Sequence, residues 1–324
     1  MNAGQDRKQI FVQEVAPRDG FQNEPVFIPT DAKIALINAL SDTGVATIEA
    51  TSFTSPKAIP ALSDAEAVMR GIRRNPDVCY SALVPNVRGG ERALAAGVDE
   101  FNLVMSVSET HNLTNLRMSR EQSAATLSEC VKVAHEAHIK VNLSLSCVFG
   151  CPMEGDIDTR EAFRWVQRFT DLGVDGITLC DTTGMAYPTQ VASVVEQFRT
   201  LWPESRLTLH FHNTRGMGLV NVFAAVQMGA DRFDAALGGL GGCPYAPGAT
   251  GNVCTEDTVH MLNLIGYHTG VQLDALLDCS RRLRALVDHE LPSQVLKAGK
   301  RLTVHPVPRS FEAIRARAAA RTAL

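Results

Sequence analysis

Four phrases recur along this chain: TGVATIEA, AGVDEFNL, LGVDGITL and MGADRFDA. Each sets a helix-ending glycine directly before a run of apolar and β-type residues. A helix that stops at glycine and feeds a buried strand is the αβ half of a βα unit, and repeated units of this kind lay their strands parallel. Strand-like runs stand at 10–15 (IFVQEV), 45–50 (VATIEA), 78–84 (VCYSALV), 98–104 (VDEFNLV), 139–146 (IKVNLSLS), 174–180 (VDGITLC), 207–212 (LTLHFH) and 231–237 (DRFDAAL). Between them lie helical stretches such as TDAKIALINALSDTG (30–44), with Thr30 as its expected cap and Gly44 as its stop. Another is SREQSAATLSECVKVAHEA (119–137), capped by Ser119. Eight such units close into an α/β (β/α)8 TIM barrel; a doubly wound sheet is the rival, and the even series without a break in its middle favours the barrel. The expected organisation is a polar arm over 1–9, the barrel over 10–300 and additional C-terminal helices, with a helical tail over 301–324. Its alanine- and arginine-rich run RSFEAIRARAAARTAL (309–324) reads as a solvated helix.

A chain of 324 residues, 45% of them hydrophobic, can bury a core large enough for that fold. Its net charge of −4, with no long basic run before the last few residues, argues against a nucleic-acid partner. The eight cysteines (79, 130, 147, 151, 180, 243, 254 and 279) are scattered, and the opening MNAGQDRKQ has no apolar leader. Reduced thiols in the cytoplasm are therefore expected. No apolar stretch approaches the roughly 20 residues of a membrane span, so no membrane partner is expected either.

In a parallel barrel the chemistry gathers at the C-terminal ends of the strands. Here the first strand is followed by Pro17, Arg18, Asp19, Gly20, Gln22, Asn23 and Glu24, and the second ends at Glu49, Thr51 and Ser52. The third leads to Asn86, the fourth to Ser106, Ser108, Glu109 and His111, the fifth to Ser146 and Cys147, and the sixth to Asp181, Thr182 and Thr183. The seventh carries His210 and His212, and the eighth opens into GGLGGCPYAPGATGN (238–252), which holds Cys243 and Asn252. Loops are polar in any protein, but that does not account for acids and histidines inside or directly at the ends of apolar strands. Side chains at i and i+2 of a strand share a face, so both imidazoles can reach one cation.

The segments EVAPRDGFQNE (14–24), EATSFTSPK (49–57), CDTTG (180–184), LHFHNTRG (209–216) and GGLGGCPYAPGATGNVCTED (238–257) resemble, in order and spacing, the 3-hydroxy-3-methylglutaryl-CoA lyases. These belong to the metal-dependent, TIM-barrel aldolase-like lyases, and the resemblance runs from about residue 10 to residue 300. The Arg-Asp-Gly and His-x-His motifs mark the superfamily, and the cysteine-bearing loop marks the lyases. The resemblance implies that Asp19, His210, His212 and Asn252 bind a divalent cation, Mg2+ or Mn2+. It implies a retro-Claisen cleavage of a tertiary 3-hydroxyacyl-CoA to acetyl-CoA and a 3-keto acid, with acyl-CoA as the partner and a homodimer or higher homo-oligomer as the assembly.

That chemistry asks for a base at the hydroxyl, positive charge at the enolate and an acid at the new carbanion. Arg18 fits the charge, Cys243 the acid, and Glu49, Asp181 or a non-coordinating His210 the base, with Asp181 equally readable as a carboxylate behind the ligands. Candidate acyl-CoA contacts are Arg18, Gln22, Ser52, Asn86 and Ser146. The chain departs from the lyase pattern at Pro25 and Val26, at His111 and Asn112, and at Asn213, Thr214 and Arg215, which leaves a different acyl tail or a shifted grip on CoA open. A condensing synthase of the same superfamily and a non-catalytic metal-binding barrel are the alternatives.

Overall fold

The computed structural model describes residues 8–241 and 251–322. Its strands are β1 (Phe11–Glu14), β2 (Thr47–Ser52), β3 (Cys79–Leu83), β4 (Glu100–Ser106), β5 (Lys140–Ser146), β6 (Gly176–Asp181), β7 (Arg206–Phe211) and β8 (Arg232–Ala235). They pair in chain order, all parallel, and β1 closes on β8 through Phe11↔Arg232, Val12↔Phe233, Gln13↔Asp234 and Glu14↔Ala235. The eight-stranded barrel expected from the repeated units is the fold.

Helices α1 (Thr30–Ser41), α2 (Ala65–Gly71), α3 (Val87–Ala95), α4 (Glu109–Leu116) and α5 (Arg120–Glu136) connect the first five strands. Then come α6 (Thr159–Asp171), α7 (Pro188–Leu201) and α8 (Gly218–Gln227) between the last four. Beyond the barrel follow α9 (Thr255–Leu264), α10 (Leu273–Arg284), α11 (Gln294–Ala298) and α12 (Phe311–Thr322). Ser119 caps α5 as expected, accepting from the Gln122 amide while the Gln122 side chain accepts from the Ser119 amide. Thr30 does not cap α1. The preceding Pro29 supplies the extended entry, and the Thr30 hydroxyl donates 2.8 Å to Asp64, the same carboxylate that takes Lys33 at 2.7 Å, so it ties α1 to the start of α2. Gly44 does follow α1, at a φ of +92° that disfavours side chains.

Strand alternation divides the barrel wall into two faces. Phe101, Leu103, Val141, Leu143, Ile177 and Leu179 are buried in the hydrophobic core. Their neighbours Glu100, Asn102, Asn142 and Thr178, joined by Gln13, Thr47, Glu49, Ser81 and Asp234, line a small internal cavity of about 20 Å³, room for about one water. The apolar layer lies between sheet and helices, and the interior is polar.

At the end of β1, Glu14 is fully buried and faces no cation among its hydrogen-bond partners. It accepts from the amides of Ala16 at 2.8 Å and Leu237 at 2.9 Å and from the Thr255 hydroxyl at 2.6 Å, which ties β1 to both flanks of the glycine-rich loop. Burial pushes its carboxyl up to about 7, against the lowering effect of these donors. The folded chain therefore holds a proton that the unfolded chain releases near its ordinary value, and stability present in acid falls as the pH rises from about 4.5 to about 7. Replacing Glu14 with Gln, which mimics the protonated form, should flatten this fall, read as a urea midpoint that varies less over that range than in the unsubstituted chain; equal slopes would show that Glu14 does not titrate there.

Candidate active site

After β1 the chain winds into a wide turn, Ala16–Gly20, whose Arg18 and Asp19 amides both donate back to the Val15 carbonyl. This turn lays two adjacent side chains over the barrel mouth. Arg18 is 9% exposed; its Nε donates 2.7 Å to Glu49 on β2 and its Nη1 donates 2.7 Å to Asp19. Two carboxylates thus neutralise one buried guanidinium, whose pKa rises because their charges outweigh its desolvation. Burial alone would raise Asp19, but the Arg18 charge and the two imidazoles hold it down at about 2. Gln22 donates 2.9 Å to the same Asp19 oxygen that Arg18 takes, and Asn252 donates 2.8 Å to the other.

His210 ends the apolar run of β7, and His212 lies just past its last residue, bridged to Asn252. The two rings stand 5.2 Å apart between centroids, with their Nε2 atoms 3.2 Å from one another. His210 Nδ1 lies 3.1 Å from Asp234 on β8, and Asp234 also accepts from Gln13 at 2.6 Å. An Nδ1 proton donated to that carboxylate leaves Nε2 of His210 as a lone pair facing the site. Desolvation lowers the His210 ring, but Asp234 raises it more. Burial, helped by His210, drives His212 down to about 3, so it is neutral.

Asp19, His210 and His212 offer ligand atoms that all lie within 4.8 Å of one another. The donor set fits a cation on a further ground. Among the described residues Nδ1 of His212 is buried without a hydrogen-bond partner, and its Nε2 faces another Nε2; in either tautomer the pair leaves a nitrogen unsatisfied there. Asn252 commits both amide protons, to Asp19 and at 3.0 Å to the Leu240 carbonyl, so its oxygen is the atom available to a cation. Asn252 reaches this place because Gly251 before it packs against the turn that opens the loop, where a Cβ would sit 1.9 Å from the Gly239 carbonyl oxygen.

The other expected site residues divide. Glu49 is buried between Arg18 and Asn102, the latter donating 2.8 Å to its second oxygen; desolvation raises its pKa against the pull of Arg18. Asp181 at the end of β6 accepts from the amides of Met185 and Ala186, while its Oδ2 is buried with no partner among the described residues and burial raises its pKa to about 6. Ser52 and Ser146 are buried at the ends of β2 and β5; the Ser52 hydroxyl donates 2.8 Å to Thr54. The Asn86 side chain caps α3 by accepting from the Gly89 amide at 2.9 Å. Cys243 lies outside the described residues. Reading the sequence missed Asp234 and Asn102. Both are polar residues at inward positions of otherwise apolar strands, and that alternation was the available signal.

Known proteins bear on this geometry. A family model described as HMGL-like matches residues 9–283. The hydroxymethylglutaryl-CoA lyase of Bacillus subtilis is 45% identical over 90% of this chain and 98% of its own length, and the mitochondrial hydroxymethylglutaryl-CoA lyase of Gallus gallus is 41% identical over 91% and 99%. A solved HMG-CoA lyase from Acinetobacter baumannii, in complex with coenzyme A and 3-methylmalate, superposes with a TM-score of 0.89 at 54% identity, covering 93% of this chain and 98% of that one. With its barrel closed, its arginine seated between two carboxylates and its histidine pair beside them, the chain belongs to the HMGL-like family of carbon–carbon lyases.

Proposed function

We propose that this chain cleaves 3-hydroxy-3-methylglutaryl-CoA, or a close 3-alkyl analogue, to acetyl-CoA and acetoacetate or the corresponding 3-keto acid. The observation that carries the reading is the continuous chain Glu49, Arg18, Asp19, Asn252 laid beside the His210 and His212 pair at the barrel mouth. Asp19, His210, His212 and Asn252 are the residues to hold a divalent cation, and oxygen and imidazole donors without a thiolate suit Mg2+ or Mn2+. When bound, such a cation lowers the energy of negative charge on the hydroxyl and carbonyl oxygens of the acyl chain.

The protein's own groups supply the proton and charge handling. Asp181, with one oxygen unpartnered among the described residues and a pKa of about 6, suits the base that takes the C3 hydroxyl proton. As that oxygen becomes a carbonyl, the C2–C3 bond breaks and its electron pair passes to C2, as the enolate of acetyl-CoA. Arg18 has Nε and Nη1 committed to carboxylates, and Nη2, with no hydrogen bond to the described residues, donates to the thioester oxygen where this charge gathers. Cys243 then gives a proton to C2 from the glycine-rich loop. Gln22 holds the Asp19 carboxylate in place; Ser52 and Ser146 line the approach of the acyl chain, and Asn86 acts through the cap it forms on α3.

No helix among the described residues is long and apolar enough to cross a membrane, and the reading carries a cytoplasmic location and a homodimer or higher homo-oligomer with it. Exposed Val220 and Phe223 on α8, with Leu264 and Ile265 at the end of α9, support such an assembly. The reaction is tested by incubating the protein with 3-hydroxy-3-methylglutaryl-CoA and Mg2+ and following acetyl-CoA and acetoacetate by mass spectrometry. A panel of 3-alkyl analogues then ranks the acyl tails.

Three substitutions separate the roles. His212→Ala should weaken Mn2+ binding, followed by titration calorimetry, by at least ~10²-fold; unchanged affinity would remove His212 from the ligand set. Arg18→Gln should leave Mn2+ affinity near that of the unsubstituted chain and lower turnover by at least ~10², whereas a parallel loss of cation affinity would make Arg18 a support for Asp19 instead. Cys243→Ser should keep substrate binding and cut kcat steeply, since a hydroxyl is a far weaker acid than a thiol. Near-normal turnover at saturating substrate would return Cys243 to a packing role.

A further inference from the structure

We propose that Asn102 is a positioning residue for the reaction: it fixes the rotamer of Glu49, and through Glu49 the aim of the Arg18 guanidinium, by way of an amide chain that crosses three strands of the barrel interior. The inference rests on the reading that Arg18 and Glu49 serve the reaction. Glu49 must hold Arg18 from one side only, since Nε is its one donor there, and a carboxylate on a flexible stem with a single anchor can turn about that anchor. Its other oxygen is pinned by Asn102 Nδ2 at 2.8 Å, and the two bonds together fix the plane of the carboxylate.

Asn102 itself cannot turn. Its Oδ1 accepts from Asn142 Nδ2 at 3.1 Å and from the Ser144 hydroxyl at 2.8 Å, so the amide is set with its nitrogen toward Glu49. Asn142, the register partner of Asn102 across β4 and β5, donates also to Thr178 on β6 at 2.9 Å. The result is a line of hydrogen bonds from β6 through β5 and β4 to β2, lying against the internal cavity and beneath the mouth. Every member is an uncharged donor or acceptor except Glu49, so the line orders the carboxylate without adding a second charge to a low-dielectric interior. An apolar residue at 102 would leave the inner Glu49 oxygen buried and unpaired, and the carboxylate would swing to find a donor, taking Arg18 with it.

The test uses Asn102→Leu, which keeps the volume and removes the donor, together with Asn102→Ser, which stays polar but is too short to reach Glu49. Each is measured for kcat and KM with 3-hydroxy-3-methylglutaryl-CoA, for Mn2+ affinity and for thermal midpoint. We expect kcat to fall by roughly 10–100-fold while KM and Mn2+ affinity stay within about two-fold. The same Asn102→Leu change in a Glu49→Ala background should then alter kcat by less than about two-fold, because the effect runs through Glu49. A folded variant with unaltered kcat, a loss that multiplies independently with Glu49→Ala, or failure of both variants to fold would each overturn the assignment. Full activity in Glu49→Ala alone would instead show that Glu49 does not serve the reaction, which is the failure of the reading beneath it.

Discussion

A guanidinium does not lose its proton in a protein, so a buried arginine commits its surroundings to carrying negative charge. Arg18 imposes that commitment on the mouth of this barrel. An unpaired charge at such depth costs several kcal/mol, and the structure meets the cost with two carboxylates on different elements, Glu49 from β2 and Asp19 from the turn after β1. Each carboxylate then needs its second oxygen satisfied, which brings in Asn102 on one side and Asn252 on the other. Asp19, a proposed cation ligand, and Arg18, the candidate oxyanion donor, are therefore joined in one hydrogen-bonded network.

The same reasoning explains the unusual interior. Barrel interiors are commonly filled by branched apolar side chains. Here Glu49, Glu100, Asn102, Asn142, Thr178 and Asp234 face inward, and the apolar burial that stabilises the fold is carried by the opposite face of the same strands, against the helices. Glu100 is paired with Arg206 at the far end of the barrel, Asp234 with His210 and Gln13, and Glu49 with Arg18. A polar interior is tolerable because each acid there has a designated partner. It also gives the strands a second use, since rigid elements hold the groups behind the proposed ligands more firmly than loops could.

How much of this could be read from residue order differs by kind of information. The barrel was legible because its repeated αβ phrases are local, and the histidine pair because positions i and i+2 of a strand share a face without any tertiary knowledge. Asp19 and Arg18 were legible through a motif. Asp234 and Asn102 were not singled out, although their polar alternation was visible: periodicity says that a residue faces inward, and only closure of the barrel says which inward residues meet. The pairing of Gln13 with Asp234 follows from β1 meeting β8, and that of Asn102 with Asn142 from the β4–β5 register. Thr30 shows the opposite case, a good local signal overridden because Pro29 already shaped the helix entry and Asp64 offered the hydroxyl a partner.

The hydrogen bond between Asp19 and Asn252 joins positions 233 residues apart. In a collapsing chain only His210 and His212 are neighbours; of the other proposed ligands, Asn252 joins His212 through their backbone bridge, and Asp19 arrives only when the first strand docks against the eighth. Long-range pairings of this kind form late and slowly, because the loop they close must be ordered first. The proposed cation site is therefore complete only in the closed ring. An ion that binds the four-residue set but grips the open chain weakly acts on folding as a clasp: it leaves the early steps alone, slows reopening, and adds to the stability of the closed barrel in proportion to the logarithm of its concentration once the site is filled.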